Sequence, residues 1–153
     1  SFLDQAQRLL ALSAKDCGRL LLPVDLVVAQ KVEKGSSFHI VDVVKGIPEG
    51  FEGVDIGPRT IKLYKEELKK AATVLWNGPL GVFEVPEFAK GTQAIAHVLA
   101  ELRATTIVGG GDSIAALQAA GVADRITHLS TGGGASLEYI EQGTLPGIEA
   151  LQQ

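Results

Sequence analysis

Two glycine triplets, Gly109–Gly111 and Gly132–Gly134, each stand between a short apolar run and a helix-like segment. A third loop, Asn77–Gly81 (NGPLG), follows the apolar run Thr73–Trp76. Glycine lets the backbone approach a ligand closely and turn its N–H groups outward. A helix that opens on such a loop adds unpaired N–H donors and a partial positive charge. Together these features suit an anion, most simply a phosphate. Anion sites side by side suggest one group at each end of a transfer, so phosphoryl transfer is the expected reaction class. The glycine loops hold no lysine or arginine, and from Gly91 onward only Arg103 and Arg125 are basic. Neutralisation of a polyphosphate therefore has to come from a metal ion or from cations elsewhere. Asp112, just after a triplet, could share Mg²⁺ with phosphate or could simply cap its helix.

These loops need a scaffold. Thr73–Trp76, Thr105–Val108 and Thr127–Ser130 read as strands. Helices are expected from about Pro86 to Leu102, over Asp112–Ala120 with Gly121 as its stop, and over Ala135–Gln142 with Gly143 as its stop. Strand and helix alternate, which predicts a parallel α/β sheet, Rossmann-like, with helices on both faces. The strand runs show little alternation, as in a sheet buried on both faces. In such a sheet every strand-to-helix loop falls on one edge, where ligands bind. The first half is less rhythmic. Ser1–Gly18 reads as a helix, Arg19–Leu22, Leu26–Val32 and Phe38–Val44 as strands, and Val32–Phe38 as a turn. Ile47–Pro58 reads as a glycine- and proline-rich loop, with Pro58 opening a helix.

Composition narrows the function classes. The chain has 153 residues, a net charge of −4 and one cysteine, Cys17. The length suits one domain, the acidity argues against a nucleic-acid partner, and no apolar run is long enough for a membrane span. A single cysteine gives no reason to expect an oxidising compartment; a cytoplasmic location is expected. Cys17 is expected to be a small core residue. Methionine is absent, so Ser1 is not expected to be a translation start and the chain is expected to be a trimmed piece. There is no G-x-x-x-x-G-K-[ST], and Ile114 and Leu137 stand where G-x-G-x-x-G needs its last glycine. With three histidines, His39, His97 and His128, scattered through the chain, a zinc site is not expected. Gly111–Ala115 (GDSIA) imitates a nucleophile elbow, with Asp124 and His128 following in hydrolase order. That makes a serine hydrolase using Ser113 one rival reading, and a stand-alone nucleotide- or anion-binding module another.

Trp76–Glu84 (WNGPLGVFE), Val108–Ser113 (VGGGDS) and Ser130–Ser136 (STGGGAS) resemble phosphoglycerate kinase, as do Leu21–Asp25 (LLPVD), Gly53–Pro58 (GVDIGP) and Gly143–Ala150 (GTLPGIEA). The resemblance covers nearly the whole chain. It implies that residues 1–153 are the later, larger part of that family's C-terminal, nucleotide-binding domain, an incomplete domain. It implies glycolytic phosphoryl transfer between 1,3-bisphosphoglycerate and MgADP, giving 3-phosphoglycerate and MgATP. By the same resemblance, Gly53 and Val54 would line the adenine pocket, and Asn77, Gly78 and Pro79 would lie beside the ribose and phosphates. Glu84 would bind ribose hydroxyls, and Gly110, Gly111, Asp112 and Ser113 would meet the phosphates, with Asp112 on Mg²⁺. Gly132, Gly133 and Gly134 would stabilise the phosphoryl group in flight. The 3-phosphoglycerate side would be bound by a missing N-terminal domain, so the isolated chain is expected to be inactive.

Overall fold

The computed structural model describes residues 2–13 and 20–152. The expected helix stop at Gly18 and the core role of Cys17 lie outside the described residues, as does Arg19. Two sheets organise the chain. In the first, β1 (Asp25–Ala29) lies between β2 (Phe38–Asp42) and β3 (Glu52–Ile56), both antiparallel to it. In the second, β4 (Thr73–Asn77), β5 (Thr105–Gly109) and β6 (His128–Ser130) run parallel in the order β4-β5-β6.

The antiparallel sheet departs from the sequence reading. The expected loop Ile47–Pro58 contains β3, whose apolar pattern is broken by Gly53 and Asp55 but whose backbone is claimed by β1. Leu20–Leu22 forms no strand, and β1 stops at Ala29 rather than Val32. The turn between β1 and β2 is present, with Gly35 in the left-handed region at φ 83°. Helix α1 (Phe2–Ser13) precedes this sheet, and α2 (Pro58–Leu68) follows it with proline in its first turn, as expected.

The parallel half follows the predicted alternation. Helix α3 (Lys90–Glu101) joins β4 to β5, α4 (Gly111–Ala119) joins β5 to β6, and α5 (Gly133–Gln142) follows β6. A 3₁₀ turn, Pro86–Phe88, precedes α3, so the predicted helix from Pro86 is split. Gly121 and Gly143 end α4 and α5 in the left-handed conformation, at φ 69° and 75°. A short α6 (Pro146–Leu151) closes the described chain. Val74, Trp76 and Val108 point to one face of the sheet and pack on Ile95, Ala96 and Leu99 of α3 and Leu117 of α4.

Helix α5 covers part of the opposite face. That face is not fully buried, contrary to the expectation of a sheet buried on both faces. β4 alternates strictly between exposed and buried residues, Leu75 is 39% exposed, and a groove of about 540 Å³ runs between Leu75, Ile107, Tyr139 and Ile148. Among the described residues, no helix is long and apolar enough to cross a membrane.

Candidate functional site

Strand register creates the site. Asn77 is level with Gly109, and Gly109 with Ser130, so the three parallel strands end on one line. Every loop that follows them starts from that edge. The two triplets touch: a Cβ on Gly133 would lie 2.8 Å from Gly110 Cα and 2.9 Å from Asn77 Oδ1. Glycine is therefore required at 133 by a close backbone approach, and at Gly110 by φ 97°. Gly110 N–H is spent on Ser130 O at 2.9 Å, which ties the β5 loop to β6.

The helices begin earlier than the sequence suggests. α5 starts at Gly133, not Ala135, and α4 at Gly111, not Asp112. The first bonds in each are Ile114 N–H to Gly110 O and Ser136 N–H to Gly132 O. The N–H groups of Gly111, Asp112 and Ser113, and of Gly133, Gly134 and Ala135, therefore have no acceptor within their helix. Two sets of donors and two helix dipoles open from one edge. That arrangement can stabilise anionic oxygens.

The Asn77–Gly81 loop works differently. Gly78 N–H donates to Ser113 Oγ at 2.7 Å, and Gly78 O accepts from Trp76 Nε1 at 2.6 Å. This loop thus supplies walls rather than a row of free amides. Its later part, Pro79–Val82, faces Gly53, Val54 and Asp55 across a cavity of about 440 Å³, with Leu26 and Ile47 completing the apolar sides. The dimensions and apolar walls suit a flat heterocycle.

The sequence-predicted residues thus fall into linked groups. Gly53, Val54 and Pro79 share the cavity. Asn77, Gly78, Gly110, Ser113 and Gly133 are packed together at the strand ends. Gly132 lines the groove on the sheet's open face, and nothing lies within 4 Å of a Cβ built on Gly111 or Gly134. Asp112 is exposed in the first turn of α4 and is not the cap, because Gly110 occupies that position without a side-chain bond. Glu84 is exposed and lies outside the lining of the cavity.

The nucleophile-elbow reading does not survive. Ser113 is only 1% exposed and its oxygen receives the Gly78 N–H, so it is a structural bridge between two loops. Ser113→Ala would leave that N–H without an acceptor, and is expected to cost about 1 kcal/mol of stability in urea denaturation. A fluorophosphonate probe is expected to leave Ser113 unlabelled.

Two buried residues beside the cavity escaped sequence reasoning. Asp55 is 3% exposed and accepts Gly91 N–H at 2.7 Å and Ile56 N–H at 2.8 Å. Burial pushes its carboxyl above the usual range, against the pull of those N–H groups and of Lys90. Thr92 is 1% exposed, and its Oγ1 accepts the N–H groups of Leu80 and Gly81 at 3.0 and 3.2 Å. A lone carboxylate between Val54 and Ile56 was the available signal for the first. An isolated threonine among the buried residues of α3 carried none.

Fold and site together define an α/β protein whose parallel sheet gathers glycine-rich helix N-termini at one edge, next to an apolar slot. A family model described as phosphoglycerate kinase matches residues 1–143. The chain belongs to the phosphoglycerate kinase family. It is 50% identical over 152 residues to the phosphoglycerate kinase of Rubrobacter xylanophilus, an alignment covering 99% of this chain and 38% of the relative. It is 53% identical over 150 residues to that of Chloroflexus aurantiacus, covering 96% of this chain and 37% of the relative. The solved phosphoglycerate kinase of Coxiella burnetii superposes with a TM-score of 0.90 at 38% identity, over 99% of this chain and 38% of that one. The chain thus spans about 38% of the length of these relatives.

Proposed function

We propose that this chain supplies the nucleotide half of a reversible phosphoryl transfer between 1,3-bisphosphoglycerate and MgADP, giving 3-phosphoglycerate and MgATP. The observation that carries the reading is the contact of Gly110, Gly133 and Asn77, which brings two helix N-termini to one edge beside the apolar cavity. Adenine enters the slot between Gly53–Val54 and Pro79–Val82. Asn77, Gly78 and Pro79 border the ribose and phosphates, and Glu84, being anionic, suits ribose hydroxyls and repels phosphate. The amides of Gly111–Ser113 hold the nucleotide phosphates. Those of Gly133–Ala135, with the small residues Gly132–Gly134 leaving room, stabilise the transferring phosphoryl group. A loose transition state of this kind asks for positioning and charge stabilisation, which fixed backbone donors provide without reorganising.

Mg²⁺ fits this residue set: Asp112 is an exposed carboxylate at the first turn of α4, and one carboxylate plus phosphate oxygens is an ordinary Mg²⁺ environment. When bound, the ion neutralises phosphate charge that the glycine loops, which hold no lysine or arginine, leave uncompensated. The 3-phosphoglycerate side belongs to a part of the family's length beyond this chain, and the chain alone does not turn over bisphosphoglycerate. The setting is cytoplasmic glycolysis.

Calorimetry tests the reading. MgADP is expected to bind, ADP without Mg²⁺ more weakly, and Asp112→Asn to abolish the difference. Heat with MgADP unchanged by added 3-phosphoglycerate is expected of the lone chain. ATP formation should appear only when the complementary part of a relative is added. No MgADP heat from a folded chain, or substantial turnover by the chain alone, counts against the proposal.

A further inference from the structure

The wall Pro79–Val82 belongs to no helix or strand, yet its backbone is held at three consecutive residues. Leu80 N–H and Gly81 N–H converge on Thr92 Oγ1 at 3.0 and 3.2 Å, and Val82 N–H donates to Val54 O at 2.9 Å. Thr92 lies in the first turn of α3. Asp55, on the facing wall, reaches the same helix end through Gly91 N–H at 2.7 Å. Its carboxyl fills the space in which a Cβ on either Gly81 or Gly91 would stand. Both walls of the cavity are thus referenced to one turn of α3, by two side chains that are almost wholly buried.

We propose that Thr92 and Asp55 are positioning residues that clamp the Pro79–Val82 loop against β3 and thereby set the width of the nucleotide cavity. The proposal rests on the nucleotide reading above for its ligand, but not for its geometry. A buried threonine in a helix ordinarily bonds back to its own helix. Here the hydroxyl oxygen is turned to two donors of a separate loop. Both donors share that one oxygen atom, so the placement of Leu80 and Gly81 within the loop depends on it. Asp55 adds the second constraint, because its bulk keeps Gly81 from sinking toward α3.

Thr92→Val keeps the shape of the side chain and removes the acceptor, whereas Thr92→Ser keeps the acceptor. In the 153-residue chain, with Trp76 emission reporting the fold, T92V is expected to weaken MgADP binding about tenfold and T92S by less than about twofold. Folded T92V that binds MgADP as tightly as the parent overturns the proposal. If the parent chain itself binds no MgADP, the nucleotide reading has failed. The clamp is then judged by amide exchange and chemical shifts. T92V is expected to shift and deprotect Leu80 and Gly81, and T92S to leave them protected. Unchanged amides in T92V overturn the clamp. Should T92V fail to fold, exchange in the parent decides: Leu80 and Gly81 amides as fast as those of exposed loop residues overturn it, and protected ones support it.

Discussion

Gly133→Ala will lower stability by about 2 kcal/mol and reduce MgADP affinity more than tenfold, while Gly134→Ala will leave stability unchanged or slightly raised. The contrast comes from two adjacent glycines in the same helical turn. A Cβ at 133 would lie 2.8 Å from Gly110 Cα and 2.9 Å from Gly110 N. Backbone cannot swing aside as a side chain can, so the β5 and β6 loops must part. At 134 a Cβ meets nothing within 4 Å, and alanine is the better helix former. Urea denaturation followed by Trp76 emission measures the first effect and calorimetry the second. The affinity loss in G133A should exceed what its population of unfolded chain explains, because separated loops no longer aim their amides at one place. A G133A chain as stable as the parent would mean that the two triplets do not touch.

The pair also marks how far the sequence could be read. The triplets announced helix N-termini, and Gly121, Gly143 and Pro58 announced helix boundaries, because each of these signals is local in the chain. That Gly133 is packed and Gly134 is open depends on strand register, which pairs Gly109 with Ser130, and no local pattern carries it. The same holds for β3. Gly53 and Asp55 interrupt its apolar run, since Gly53 borders the cavity and Asp55 reaches across to Gly91. A strand modified for a site reads as a loop. Gly53 and Val54 entered the candidate site only through the family resemblance, whereas the glycine loops followed from residue types and spacing. Thr92 and Asp25 stayed hidden for another reason: their partners lie 11 to 12 and about 35 residues away, respectively, so their chemistry exists only in the folded chain.

Asp25 gives the other large effect. Helix α2 has Gly57 as its N-cap and no cap from its own segment. The capping carboxylate comes from β1 instead: Asp25 accepts Thr60 N–H at 2.8 Å, Arg59 N–H at 3.0 Å and Thr60 Oγ1–H at 2.6 Å. It is 2% exposed, and its bulk is why position 57 must be glycine. Asp25→Ala leaves the Arg59 and Thr60 N–H groups buried or half-buried without acceptors, the Thr60 hydroxyl keeping the Asp25 carbonyl at 2.9 Å, and is expected to cost about 3 kcal/mol in urea denaturation.

The pH dependence of Asp25 has a definite sign. Burial raises the Asp25 pKa, but the bonds from the Thr60 hydroxyl and from the Arg59 and Thr60 N–H groups, with the Arg59 charge, outweigh it, and the net shift is downward from 3.8. The unfolded chain therefore takes up the proton first. The stabilisation from Asp25 is complete above that unfolded value and disappears as pH falls through the lower folded one. Asp55, shifted upward from the same 3.8, works in the opposite direction. Its contribution is complete below the unfolded value and is lost as pH rises through the folded one. Subtracting the stability of Asp25→Asn from that of the parent at each pH isolates the first curve, which should fall toward acid. Subtracting that of Asp55→Asn isolates the second, which should fall toward neutrality. The two carboxylates share a chemistry and a sheet, so opposite slopes can come only from their surroundings: several donors converging on Asp25, and burial outweighing the two that reach Asp55.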